Sequence, residues 1–206
     1  MRVLCSGPIA FVDKSELYEY YPRLIDENVF EPLYDEVQEK VATYNIVMRD
    51  KIFEARRLSC IISSLSKTIY DENYEDGSER LPCYAWEDVP IVSEIREYVQ
   101  HVILKEGERS FDYALVHLYR DGTDYIGYHS DSEAMNTSVV SVSMGATRRF
   151  RFREKDTTRG WYDDIELHSG DVVHMLPSCQ KYFKHAVPKQ LRVLKPRINI
   201  TFRYNV

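Results

Sequence analysis

The run Arg197-Ile-Asn-Ile-Thr-Phe-Arg203 near the end of the chain alternates polar and apolar residues without a break. Successive side chains of an extended backbone point to opposite faces. Arg197, Asn199, Thr201 and Arg203 therefore share one face, and Ile198, Ile200 and Phe202 share the other. The segment demands a strand with a core on one side and a polar, doubly cationic surface on the other. A strand of this length spans about 20 Å, and two arginine side chains leaning toward each other leave a gap that suits a short dicarboxylate. The guanidinium fork is the side chain best matched to a carboxylate. An edge strand with solvated arginines is the plainer alternative.

The surrounding pattern is of the same kind. From Phe111 onward, short extended segments at 113–119, 139–144, 149–153, 171–176 and 197–204 are separated by turn signals such as Asp121-Gly122 and Ser169-Gly170. Before them, residues 30–41 place Phe30, Leu33, Tyr34, Val37 and Val41 at helical spacing. A second amphipathic helix fits 91–104, just after Pro90. Strands after helices point to a mainly β fold, a sandwich with flanking helices on one side. With 206 residues, of which 44% are hydrophobic, the chain has enough material for one core. We expect one domain, with residues 1–110 as helical support and 111–206 as the strand-rich core.

Composition narrows the function classes. The sequence contains no uninterrupted apolar stretch of membrane-spanning length, and the apolar patch from Val3 to Val12 is broken by Ser6, Gly7 and Pro8, so neither a membrane helix nor a signal peptide is expected. Cys5, Cys60, Cys83 and Cys179 lack paired spacing, which favours free thiols in an intracellular, reducing compartment over disulfides or a zinc site. The net charge is −6, but residues 101–206 carry 16 Lys and Arg against 13 Asp and Glu, a net of +3 that leaves −9 for the first hundred. A polyanionic partner would meet a local patch, with Arg148, Arg149, Arg151, Arg153, Lys155, Arg159, Lys181, Lys184 and Lys189 as candidates. The acidic stretch from Tyr70 to Glu79 reads as a loop, a candidate for part of a substrate lid, that would repel phosphate.

His129-Ser-Asp131 and the later His185 supply two imidazoles and a carboxylate. Such a set holds a cation on one side and leaves its other positions open, as in non-haem Fe(II) oxygenases. Taken alone, the triplet reads more plainly as a surface turn after Gly127.

Taken together, Tyr119-Arg-Asp-Gly122, Ile126-Gly-Tyr-His-Ser-Asp-Ser-Glu133, Ser141-Val-Ser-Met-Gly-Ala-Thr-Arg-Arg-Phe150, His185-Ala-Val-Pro188 and Pro196-Arg-Ile-Asn-Ile-Thr-Phe-Arg203 resemble, in order, the AlkB family of 2-oxoglutarate-dependent nucleic-acid dealkylases. The animal DNA- and RNA-repair members are the most similar. The resemblance implies a double-stranded β-helix, a jelly-roll relative. It implies Fe(II) on His129, Asp131 and His185, with 2-oxoglutarate and O2 as co-substrates. Tyr119 and Arg197 would take the distal carboxylate, and Arg203 would lie near the carboxylate that binds iron, with Thr201 lining the pocket. It also implies oxidative removal of N-alkyl groups from bases such as 1-methyladenine and 3-methylcytosine in DNA or RNA, with succinate as co-product.

A base must leave its stack to reach such a centre. Tyr84 and Trp86, placed on one strand face by their spacing, are the expected walls, and Glu133 the expected reader of the base. Arg148 and Arg149 are expected to contact the substrate backbone. Two positions depart from the family pattern. His117 stands where repair members carry an asparagine that resembles a co-substrate contact, and Ser132 stands where a second Asp is usual. His101, His168 and His174 belong to no matching block and read as structural or surface residues. Two alternatives remain: a hydroxylase of the same cofactor class acting on a protein or small molecule, and a non-catalytic nucleic-acid-binding module.

Overall fold

Both periodicities are realised in the computed structural model of the chain, which describes residues 12–14, 17–48, 51–64, 81–155 and 163–205. Eight strands form the main sheet: β1 (Val12–Lys14), β2 (Tyr18–Tyr21), β5 (Leu58–Ser63), β6 (Cys83–Tyr84), β7 (Tyr113–Tyr119), β9 (Val139–Gly145), β12 (Val172–Met175) and β14 (Arg197–Arg203), in the spatial order β1-β2-β12-β9-β14-β7-β5-β6. A second sheet of four strands contains β8 (Ile126–His129), β10 (Arg148–Glu154), β11 (Asp163–Leu167) and β13 (Phe183–Val187), ordered β11-β10-β13-β8. A separate hairpin is made by β3 (Asn45–Met48) and β4 (Lys51–Glu54).

Helices α1 (Phe30–Val37) and α2 (Pro90–Ile103) cover one face of the main sheet, and α3 (Pro177–Tyr182) precedes β13. The first helix stops short of the expected 30–41, giving way to a turn at 38–40, whereas α2 matches its expected span to within one residue at each end. Glu36 on α1 accepts from the backbone N–H groups of Ile91 and Val92 at 2.9 and 3.1 Å, satisfying two donors that the start of α2 leaves open. Glu36 thus joins the two helices.

The alternation of β14 divides the interior. Ile198, Ile200 and Phe202 join Val140, Val142, Met144, Ala114, Val116, Leu118 and the helices in one large apolar cluster. A second cluster lies between the sheets, where Tyr18 stacks on Phe152 with ring centroids 4.7 Å apart and Val173 and Met175 meet Phe150 and Val187. Two facing sheets with helices outside the larger one are the jelly-roll arrangement. The first 110 residues give more than helical support, since β1, β2, β5 and β6 complete the main sheet. These strands are short and lack clean alternation, so tertiary pairing decides their state. Residues Tyr70 to Glu79 and Arg159 lie outside the described residues.

Candidate active site

β7, β14 and β9 run antiparallel, with Arg197 opposite Tyr119 and Gly145, and Asn199 opposite His117 and Ser143. The polar faces of these neighbours thereby converge between the sheets. Arg197 is 1% exposed and donates through Nη2 to Ser143 Oγ at 2.7 Å, while its Nε and Nη1 have no hydrogen-bond partner. The Tyr119 ring lies 5.3 Å from its guanidinium carbon. Burial pushes the Arg197 pKa down to about 10. No carboxylate pairs with this cation among the described residues, so the site is short of an anion.

Across the interior, β13 and β8 place His185 directly opposite His129. Asp131, just after β8, is fixed by its backbone N–H donating to the buried Gln180 Oε1 at 2.9 Å. The ligand atoms of His129, Asp131 and His185 all lie within 4.8 Å of one another. His129 Nε2 is 3.6 Å from Asp131 Oδ1, and His185 Nε2 is 3.8 Å from Oδ2. The other nitrogen of His129, Nδ1, lies 3.0 Å from the Gly127 carbonyl; carrying the proton there would direct the Nε2 lone pair inward.

Burial and the neighbouring His129 hold the His185 pKa down at about 3, and burial lowers that of His129. Burial alone would raise the Asp131 carboxyl, but the Arg203 guanidinium and the two imidazoles hold it well below its ordinary value. Neutral imidazoles beside an ionised carboxylate are the protonation states that a bound divalent metal requires. Asp131 and His185 are each 5% exposed, while the His129 side chain is 33% exposed, so the group is approached from the His129 side.

Arg203 lies between the acids, with Nη2 3.1 Å from Asp131 Oδ2 and Nη1 bonded to Glu133 Oε1. Thr201 Oγ1 accepts from Arg203 Nε at 3.3 Å and donates to the Leu115 carbonyl at 3.4 Å. His117 is buried, its Nδ1 2.7 Å from Ser59 Oγ, and burial together with Arg57 pushes its pKa well below the usual histidine range. A neutral His117 thus occupies the polar face between Tyr119 and the group of His129, Asp131 and His185.

Residues 18–203 match the model of the 2OG-Fe(II) oxygenase superfamily. The chain belongs to this superfamily. DNA oxidative demethylase ALKBH2 from Mus musculus is 37% identical over 125 residues, which are 56% of this chain and 50% of the relative. Alpha-ketoglutarate-dependent dioxygenase alkB homolog 3 from Mus musculus is 36% identical over 104 residues, 46% of this chain and 36% of that one. The chain therefore spans about half the length of its ALKBH2 relatives or less. The uncharacterized protein R406 of Acanthamoeba polyphaga mimivirus matches at 27% over 192 residues, 92% of this chain and 94% of the other. The solved structure of OsALKBH1 shares the fold, with a TM-score of 0.62 at 17% identity over 95% of this chain and 100% of that one. The AlkB resemblance of the motifs agrees with these relatives, and the superfamily's cofactors, Fe(II) and 2-oxoglutarate, suit the donor set and the unpaired Arg197.

Several expected substrate contacts are placed elsewhere. Trp86 does not share a strand face with Tyr84: β6 ends at Tyr84, and Trp86 opens a single 3-10 turn, 8% exposed in the helix-side cluster, with Arg96 4.3 Å from its ring centroid. Tyr84 pairs in register with Ile62, whose side chain belongs to the same helix-side cluster, and Lys40 Nζ lies 5.6 Å from its ring. Neither ring is on the face that carries His117 and Asn199. Arg148 is 1% exposed and donates to the carbonyls of Asp121, Asp124 and Pro188 at 2.8–3.0 Å. It clamps two loops at the point where Gly122 approaches so closely that a Cβ would lie 1.8 Å from the Gln190 carbonyl oxygen. Arg149 is exposed but shares Asp164 with Arg151.

Sequence reasoning gave no role to Asn199, although its place on the polar face was visible. Its Nδ2 donates to Ser141 Oγ and the Val142 carbonyl, both at 2.8 Å. Gln180, which holds the Asp131 backbone, carried no local signal at all.

Proposed function

We propose that this chain is an Fe(II)- and 2-oxoglutarate-dependent dioxygenase that removes N-alkyl groups, such as those of 1-methyladenine and 3-methylcytosine, from nucleic-acid bases. The observation that carries this reading is the buried Arg197, with two unpartnered guanidinium nitrogens, in the same interior as the His129, Asp131 and His185 group. A buried guanidinium without an acid calls for a carboxylate ligand. In this reading His129, Asp131 and His185 hold the iron, which when bound supplies the oxygen activation needed to hydroxylate an alkyl carbon. Arg197 receives the far carboxylate of 2-oxoglutarate, with Tyr119 beside it and Ser143 fixing its orientation. Arg203, Thr201 and His117 border the end nearer the metal, where a neutral His117 donates a hydrogen bond to the co-substrate. Glu133, anchored by Arg203, faces the reacting base and accepts from its exocyclic amine. The hydroxylated alkyl group then leaves as an aldehyde. The buried free thiols Cys60 and Cys179 suit a reducing compartment, which also keeps iron ferrous.

The test is anaerobic loading with Fe(II), addition of 2-oxoglutarate, oxygen and oligonucleotides carrying either methylated base in DNA or RNA, and mass spectrometry of the product. Loss of the methyl group in the wild type and not in Asp131→Ala supports the proposal. Succinate formation without methyl loss from any oligonucleotide moves the reading to a hydroxylase of another substrate.

A further inference from the structure

Strand β8 is joined to β13 through an irregular register: His129 faces His185 and Ile126 faces Val187, so three steps on β8 match two on β13. Such a bulge re-aims side chains beside a site. Ile126 packs into the inter-sheet cluster and His129 turns toward the metal group, both inward although they are an odd number of residues apart. The residue before each, Tyr125 and Tyr128, is left on the outer side of the small sheet. Each is partly exposed and has a cation over its ring: Lys189 Nζ is 4.8 Å from the Tyr125 centroid, and the Arg153 guanidinium carbon is 4.1 Å from that of Tyr128. Gly127 lies between them, with open space where a Cβ would stand.

The charge of this face is divided. On the β11 side, Arg149 and Arg151 share Asp164 at 3.3 and 3.0 Å. On the β8 side, Arg153, its register partner Lys184 and Lys189 have no acid partner among the described residues, and Arg153 Nε is buried without a hydrogen bond. Three residues of extended chain cover about 10 Å, on the scale of one to two steps of a stretched nucleotide chain.

We propose that Tyr125, Tyr128, Arg153 and Lys189 form a stacking platform for single-stranded nucleic acid flanking the base under attack. The tyrosines and the Arg153 plane stack the bases, and Lys184, Lys189 and the edge of Arg153 meet the phosphates. Aromatic rings interleaved with unpaired cations are the sequence-tolerant way to hold a single strand. This rests on the nucleic-acid reading of the active site and names the form of the polymer.

The experiment is fluorescence anisotropy with unmodified single-stranded DNA and RNA oligonucleotides and the Fe(II)-loaded full chain under anaerobic conditions, so that its result does not depend on turnover. The double variant Tyr125→Ala/Tyr128→Ala should weaken binding about tenfold or more, and Tyr125→Phe/Tyr128→Phe should restore it. Arg153→Gln/Lys189→Gln should make the salt dependence shallower by about 0.7 per lost phosphate contact, while Arg151→Gln stays within about twofold. Wild-type chain that binds no single strand, or an alanine double variant that binds as well as wild type, overturns the platform. Absence of dealkylation alongside intact, tyrosine-dependent binding overturns the catalytic reading alone.

Discussion

The two faces of the main sheet share a backbone and a register and do opposite work. Along β14, Ile198, Ile200 and Phe202 are completely buried among the helix-side residues, whereas Arg197, Asn199, Thr201 and Arg203, buried almost as deeply, face an interior of serines, histidines and acids. The first set gains free energy by leaving water. The second loses hydration and recovers it in part: Arg203 has acids within reach, while Arg197 has one hydroxyl and two idle nitrogens. Stability therefore belongs to one side of each strand and ligand demand to the other.

The comparison breaks most visibly at the metal end. Asp131→Ala removes the carboxylate of the ligand group, and we expect turnover to fall about 100-fold or more. Metal analysis of the purified variant should show iron loss while far-ultraviolet circular dichroism stays unchanged, because Arg203 keeps Glu133 as a partner. On the opposite face, Phe202→Ala should cost about 3–5 kcal/mol of stability, measured as a lower urea midpoint, and leave the affinity of the folded fraction for 2-oxoglutarate intact. Trp86→Ala should act in the same way, since the ring lies in that cluster and not at the base.

Acid should sharpen the division in the metal-free chain. The unfolded chain protonates His185 below about 6.5, whereas the folded chain resists until about 3. The depressed Asp131 carboxyl has the same sign. Stability of the metal-free protein should therefore fall as pH drops from about 6.5 to about 3, by up to about 1.4 kcal/mol per pH unit for each proton taken up. Bound metal should raise stability at each pH without removing that slope, because it keeps the same ligands deprotonated in the folded chain, and denaturant titrations at several pH values with and without Fe(II) measure it. The smallest expected effect is that of Ser143→Ala. It removes the hydrogen bond from Arg197 Nη2 to Ser143 and should weaken 2-oxoglutarate binding by about 1 kcal/mol, roughly fivefold, with little change in unfolding midpoint.

The same division explains what could be read in the sequence. β14 and β7 are long, regular strands of the central sheet, and their alternation located both the core face and the polar face, the latter with Tyr119, His117, Arg197, Thr201 and Arg203 on it. The His129, Asp131 and His185 group was suggested by its chemistry and singled out by the family resemblance of the blocks that carry it. The short strands β2 and β5 were missed because pairing with distant partners, and not local pattern, makes them extended. Trp86 was misplaced because its two-residue spacing from Tyr84 suggested a strand through both, and β6 ends two residues before Trp86. Arg148 looked like a phosphate contact because charge is legible in a sequence and burial is not. Gln180 illustrates the limit, since it reaches Asp131 from 49 positions away.

The most direct test of the division is a paired measurement on Arg197→Leu and Ile200→Ala, recording the thermal midpoint of the metal-free chain and the anaerobic affinity of the Fe(II)-loaded chain for 2-oxoglutarate. We predict that Arg197→Leu keeps or raises the midpoint, because an unpaired buried cation is replaced by an apolar side chain, while its affinity for 2-oxoglutarate falls about 100-fold or more. Ile200→Ala should lower the midpoint, with affinity in the folded state within a few-fold of wild type. An Arg197→Leu chain that unfolds, or that binds 2-oxoglutarate as tightly as wild type, would contradict the account.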